Sequence, residues 1–229
     1  MFDIYGIPYI PRFKEKTFLF QGDSLCGGDY YSYTFTEKTH VDFLKERVGF
    51  GMLYNLSKSN TGFKANTPYI QTLNEWKNTN PNVTPDVILV FGNMNDAQPA
   101  VNLQLGTVED ASGTDTVYGL MRQYIERLLE LYPTSQIGFI TSPPRLREYP
   151  QGKCHGHGYY EKWIEAQKHI CDEYSIPFLD LYHNSVLRPY LKSNLTKFFP
   201  KDIEAGVHFN IDAHSIIGWQ EYEWLKNNF

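Results

Sequence analysis

The sequence predicts an α/β fold: a three-layer α/β/α sandwich whose central, mostly parallel sheet is covered by helices on both faces. Three observations carry that prediction. Asp86-Val87-Ile88-Leu89-Val90-Phe91-Gly92 is a continuous apolar run closed by glycine, the pattern of a strand buried on both faces. Val117, Leu120, Met121, Tyr124, Ile125, Leu128, Leu129 and Tyr132 recur at spacings of three and four, which gives a helix one apolar face. Short apolar runs and helical patterns alternate along the chain, as helical crossovers between parallel strands require.

Composition narrows the class. The chain has 229 residues, 41% hydrophobic and 16% aromatic, enough for one sizeable core. Residues 1–16 mix Tyr, Pro and charge and read as an N-terminal arm or linker, leaving 17–229 as a single domain. A net charge of −5 and a pI near 5.8 leave no basic footprint for nucleic acid or an anionic membrane. No apolar run reaches the roughly 18 residues of a membrane span, so insertion is not expected. Met1 is followed by Asp3, Pro8 and Pro11 rather than by a basic start and an apolar block. No secretory leader is therefore expected, and the compartment stays open. Cys26, Cys154 and Cys171 are an odd, scattered set, not a disulfide framework.

In order, Thr17 to Gln21 is the first expected strand, and a polar, aromatic insert runs from Gly27 to Phe35. Thr39 and Asp42 have capping-box spacing ahead of a helix on which Val41, Leu44 and Val48 share a face. Phe50 to Tyr54 reads as a strand, Asn55 to Asn66 as a loop, and Tyr69 to Trp76 as a short helix ended by Pro81 and Pro85. The strand at Asp86–Gly92 leads through a loop at 97–114 to Asp115, where the strong helix starts; Pro133 stops it. Gln136 to Thr141 is a strand followed by Ser142-Pro143-Pro144. Tyr160, Trp163, Ile164, Ile170, Cys171 and Tyr174 mark the next helix, and Ile176 to Leu181 the last strand. A long loop leads to His208, and Asp212 is the expected cap of a final helix through Leu225.

Ligands of such folds bind beyond the carboxyl ends of the strands. Gly22-Asp23-Ser24-Leu25 and Gly92-Asn93-Met94-Asn95-Asp96 both fall there, and Gly206-Val207-His208-Phe209-Asn210 follows the last strand. Together with Gly62, in Asn60-Thr61-Gly62, these four blocks resemble those of the SGNH (GDSL) hydrolase family in order and spacing, over most of residues 17–228. The resemblance implies a flavodoxin-like sheet, Ser24 as nucleophile and His208 as base. It implies an oxyanion hole built from the N–H groups of Ser24 and Gly62 and the side chain of Asn95, with no cofactor and no metal. The chemistry is consistent: ester hydrolysis needs a hydroxyl activated by a base and donors aimed at the oxygen that becomes charged. The substrates implied are an acetylated sugar or polysaccharide, a short-chain ester, a lysophospholipid or a thioester. Loops rich in Tyr, Asn and Gly, without a long apolar lid, favour a carbohydrate O-acetyl ester. His214 reads as structural, and Asp96 as a backbone brace for the Asn95 turn.

Two positions depart from the family pattern. Asn93 stands where many relatives carry Gly or Thr, and Asn tolerates left-handed backbone. More seriously, the family usually has an aspartate three residues before its histidine, and that residue here is Ala205. Three readings stay open. Asp202 or Glu204 orients His208 from the same loop; a backbone carbonyl holds the imidazole; or the chain is a catalytically weakened module that binds carbohydrate. Cys154-His155-Gly156-His157-Gly158 reads as a loop over the site, because zinc needs about four ligands and no second pair is evident.

Overall fold

The computed structural model describes residues 11–27, 37–65, 67–92, 94–98, 100–146 and 159–229. Nearly all of the Gly27–Phe35 insert and the whole Cys154–Gly158 loop lie outside them, as does Asn93.

Among the described residues the main sheet has five strands: β1 (Thr17–Gln21), β2 (Met52–Asn55), β5 (Val87–Phe91), β6 (Gln136–Ile140) and β7 (Phe178–Leu179). Their order is β2-β1-β5-β6-β7, and every pairing is parallel. Two short strands, β3 (Thr61–Gly62) and β4 (Thr67–Pro68), pair separately. The helices are α1 (His40–Val48), α2 (Tyr69–Thr79), α3 (Val117–Leu131), α4 (Tyr159–Glu173), α5 (Leu181–Asn184), α6 (Lys192–Phe198) and α7 (Ile211–Asn228).

The strands are apolar throughout because they serve two cores. Successive side chains of a strand point to opposite faces. Phe18 and Phe20 of β1, with Val87, Leu89 and Phe91 of β5, face α1 and α7, where they meet Val41, Leu44, Ile217 and Leu225. Leu19, Ile88 and Val90 face the other way, onto Leu73 of α2, Met121 and Ile125 of α3 and Ile170 of α4. The register pairs Leu19 with Ile88 and Phe20 with Leu89, so both faces stay aligned across the sheet.

Several ends differ from the sequence reading. The last strand is only Phe178–Leu179, because β7 is an edge strand that pairs over Phe139 and Ile140 alone; Leu181 already belongs to α5. The strong helix starts at Val117, since Thr116 accepts the Gly119 N–H and caps it. The cap of α7 is Asn210, whose side chain accepts the Ala213 N–H at 3.2 Å, while Asp212 sits in the first turn. Asp42 closes the expected capping interaction by accepting the Thr39 N–H at 2.8 Å. Among the described residues no helix is long and apolar enough to cross a membrane.

A buried polar seam joins α1 to α7. The ring Nδ1 of His214 accepts the His40 N–H at 3.0 Å, and His40 meets Glu221 at 2.8 Å with both side chains fully buried. His214 thus has the structural position expected for it. Burial, with help from the charges of His40 and His208, holds its pKa well below the ordinary 6.5. The unfolded chain therefore takes up this proton first, and stability falls as pH drops below about 6.5. Urea titrations should show up to about 1.4 kcal/mol lost per pH unit in that range. His214→Asn, which keeps an acceptor, should flatten that slope by about one proton; an equal slope in both proteins would place the acid sensitivity elsewhere.

Candidate active site

The strand order reverses between β1 and β5, so the connections leaving these neighbours diverge and open a crevice at their carboxyl ends. Ser24 follows β1 and Asn95 follows β5, which puts both in that crevice.

The turn carrying Ser24 is held by Asp23. Its Oδ1 accepts the Leu25 N–H at 2.9 Å, and its carbonyl accepts the Cys26 N–H at 3.1 Å. Ser24 is therefore in a tight turn rather than at a helix cap. Gly22 is needed there for space: a Cβ would stand 2.5 Å from Cys26 Sγ and 3.0 Å from Ser57 Oγ. Burial, followed by the nearby Asp23 and Glu221 charges, pushes the Cys26 thiol well up, so it stays a small packed side chain behind the turn.

His208 comes in from the loop before α7. Its Nε2 lies 3.0 Å from Ser24 Oγ. Ala205 offers no carboxylate, and the acidic residue that the structure sets beside the ring is Asp202. The Gly206 N–H donates to the Asp202 carbonyl at 2.7 Å, closing a single helical turn, and Gly206 leaves that turn at φ +56°. Such a left-handed exit suits glycine, and an added Cβ would also strike Leu146. The turn brings the Asp202 carboxylate back toward the histidine. Asp202 Oδ2 accepts the N–H groups of Val207 at 2.9 Å and His208 at 2.8 Å and lies 3.6 Å from His208 Nδ1. That last distance is an ion-pair contact, long for a hydrogen bond; such contacts often tighten when substrate binds. Burial opposes ionisation of Asp202, but the His208 ring and the two N–H donors outweigh it and hold the carboxyl below its usual range. Glu204 is exposed on the same loop.

Asn95 and Gly62 are brought together by two braces. Asn95 Nδ2 donates to the Thr61 carbonyl at 3.0 Å, and its Oδ1 accepts from Gln98 at 3.1 Å. Asn95 Nδ2 also lies 3.5 Å from Asp23 Oδ2, which accepts from it. Asp96 accepts the N–H groups of Phe63, Lys64 and Ala65 at 2.6, 2.9 and 2.6 Å. It therefore braces the backbone of the segment following Gly62. Thr61 Oγ1 lies 3.0 Å from the Gly22 carbonyl, tying this segment to the serine turn.

One residue of the site escaped sequence reasoning. Arg145, after Ser142-Pro143-Pro144, is buried, with a guanidinium nitrogen 3.7 Å from Asp23 Oδ2. The available clue was a cation placed just beyond the carboxyl end of β6. Burial raises the Asp23 pKa, and Arg145 is the strongest of the groups that oppose this. Among the described residues no group of three His, Cys, Asp or Glu could hold a metal.

The family model for GDSL-like lipases and acylhydrolases matches residues 20–216. The chain belongs to the GDSL-like lipase/acylhydrolase family. Ester hydrolysis is the chemistry of this family, and the chain is an ester hydrolase. Solved structures share the fold of this GDSL-like hydrolase. A protein from Lactobacillus plantarum superposes with TM-score 0.75 at 20% identity, covering 94% of this chain and 99% of its own. A carbohydrate acetylesterase family member from Sinorhizobium meliloti gives 0.61 at 18% identity, with 92% and 97% covered. A family two carbohydrate esterase from Clostridium thermocellum, in complex with cellohexaose, gives 0.57 at 12% identity, with 95% and 65% covered. Among curated proteins, none matches the sequence significantly.

Proposed function

We propose that this ester hydrolase removes O-acetyl groups from carbohydrate through a Ser24 acyl-enzyme. The observation that carries the catalytic part is the 3.0 Å approach of Ser24 Oγ to His208 Nε2, with Asp202 on the far side of the ring. His208 takes the serine proton as Ser24 attacks the ester carbonyl. The tetrahedral oxyanion is received by the N–H groups of Ser24 and Gly62 and by the amide of Asn95. His208 then protonates the leaving alcohol, and water repeats the sequence on the acyl-enzyme. Asp202 holds the imidazole in orientation and stabilises its cation. Carbohydrate is favoured by the Tyr-, Asn- and Gly-rich loops and by the two carbohydrate esterases among the structural neighbours. The competing picture of a weakened binding module drew on Ala205, and the Asp202 contact supports catalysis over it.

The test is covalent. A fluorophosphonate should label Ser24 stoichiometrically, a chromogenic acetate ester should give a burst, and acetylated oligosaccharide should release acetate. Labelling that maps to another residue, or none at all, would remove the serine assignment. Rapid ester turnover without acetate release from glycan would remove only the substrate class. A fourth measurement addresses the oxyanion site: Asn95→Ala should lower kcat by about 10²–10³ with little change in KM. A change confined to KM would instead make Asn95 a ground-state binding group.

A further inference from the structure

Arg145 is absent from every motif that points to the site, yet its side chain is 7% exposed and it adjoins the catalytic turn. Its guanidinium lies 3.7 Å from Asp23 Oδ2. The same oxygen is 3.5 Å from Asn95 Nδ2, and the other carboxylate oxygen holds the Leu25 N–H. A fully buried carboxylate thus stands between the turn that carries the nucleophile and the amide assigned to the oxyanion.

That placement opposes the reaction. An oxyanion about 2.9 Å from the Asn95 amide sits within about 6.5 Å of the Asp23 carboxylate. At an effective dielectric of about 20, two negative charges that close slow the reaction on the order of a hundredfold. Leaving a buried carboxylate without a counter-charge also works against the fold. A cation at that same carboxylate oxygen answers both difficulties.

We propose that Arg145 is a positioning residue for catalysis: it neutralises Asp23, so that Asp23 can brace the Ser24 turn without repelling the oxyanion. The proposal rests on the assignment of Ser24, His208 and Asn95 given above. Arg145 belongs to the loop after β6, and among the described residues the other titratable groups interacting with Asp23 are His208, His40, Cys26 and Tyr69. Losing Arg145 therefore leaves Asp23 able to shed its charge only by taking a proton.

The experiment compares Arg145→Met, Arg145→Lys and the double variant Asp23→Asn/Arg145→Met in the full chain, using 4-nitrophenyl acetate from about pH 6 to about pH 9. Arg145→Met should lose about 10- to 100-fold in kcat, with KM changed by less than about twofold. The loss should deepen as pH rises and Asp23 ionises. Arg145→Lys restores the charge and should regain about tenfold. The double variant should regain a similar factor and lose the deepening at high pH. A kcat for Arg145→Met within about twofold of the parent at every pH overturns the proposal, as does a double variant no faster than Arg145→Met. If Arg145→Met does not fold, the double variant, which buries no lone charge, carries the test. Turnover within about tenfold of the parent then supports the proposal, and turnover as low as Ser24→Ala overturns it. Ser24→Ala, measured alongside, keeps the two assignments apart. Should Ser24→Ala stay active, the serine assignment itself falls; an inactive Ser24→Ala beside an unaffected Arg145→Met removes only the role of Arg145.

Discussion

Replacing Ser24 with alanine is expected to lower kcat for ester hydrolysis by about 10⁴–10⁶-fold. The side chain is nearly buried at the end of β1, so the change removes one hydroxyl and little packing. Stability should move by less than about 1 kcal/mol. The oxyanion donors proposed above do not depend on the hydroxyl: the Ser24 N–H remains, and Asn95 is still held by Thr61 and Gln98. Residual catalysis of about 10³-fold over water is therefore expected from the hole and substrate binding alone. His208→Ala should fall to a similar level, and combining the two should cost little more, because base and nucleophile act as one unit. Chromogenic ester kinetics with protein checked by phosphonate titration would measure this. Additive losses would mean that the two residues do not share a step, despite their 3.0 Å separation.

The parts of the fold readable in advance were those in which one residue pattern admits one environment. Val87 to Phe91 is apolar at every position because both faces of β5 are covered. In α3, the buried Met121, Tyr124, Ile125 and Leu128 recur at helical spacing because one face meets the sheet. The segments of Ser24, Gly62, Asn95 and His208 form a set through their order along the chain, and the structure brings them to one crevice. What stayed illegible depended on backbone conformation rather than residue type. Asn210 and Asp212 are both good caps, and only the position of the first helical turn chooses between them. The reach of Asp202 to His208 depends on one closed turn and the left-handed Gly206; by count alone, Glu204 is nearer to His208. Arg145 has no periodic signature, because what marks it is its approach to the buried Asp23, a residue of a different strand end.

Asp202→Asn is expected to lower kcat by about 10³–10⁴-fold, whereas Glu204→Gln should leave it within about twofold. The amide can still accept the Val207 and His208 N–H groups through its oxygen, so the loop should keep its shape. What it loses is the charge that, in the proposed mechanism, stabilises the His208 cation as the tetrahedral intermediate forms. An amide nitrogen turned toward His208 Nδ1 would also favour the wrong tautomer. Two outcomes are informative because they separate the roles of Asp202. If it only braces the loop, Asp202→Asn should stay active while Asp202→Ala, which loses both backbone acceptor contacts, becomes unstable. If it also orients and charges the histidine, Asp202→Asn should be slow yet melt near the parent. Acidification supplies an independent check with a definite sign. The Asp202 pKa is held below its usual 3.8 in the fold, so its contribution to stability is present above about pH 4 and is lost as pH falls through the lowered value. Asp202→Asn should lack that acid-dependent part. A kcat for Glu204→Gln as low as that of Asp202→Asn would move the acid to Glu204 and require the loop to rearrange around the turn closed at Gly206.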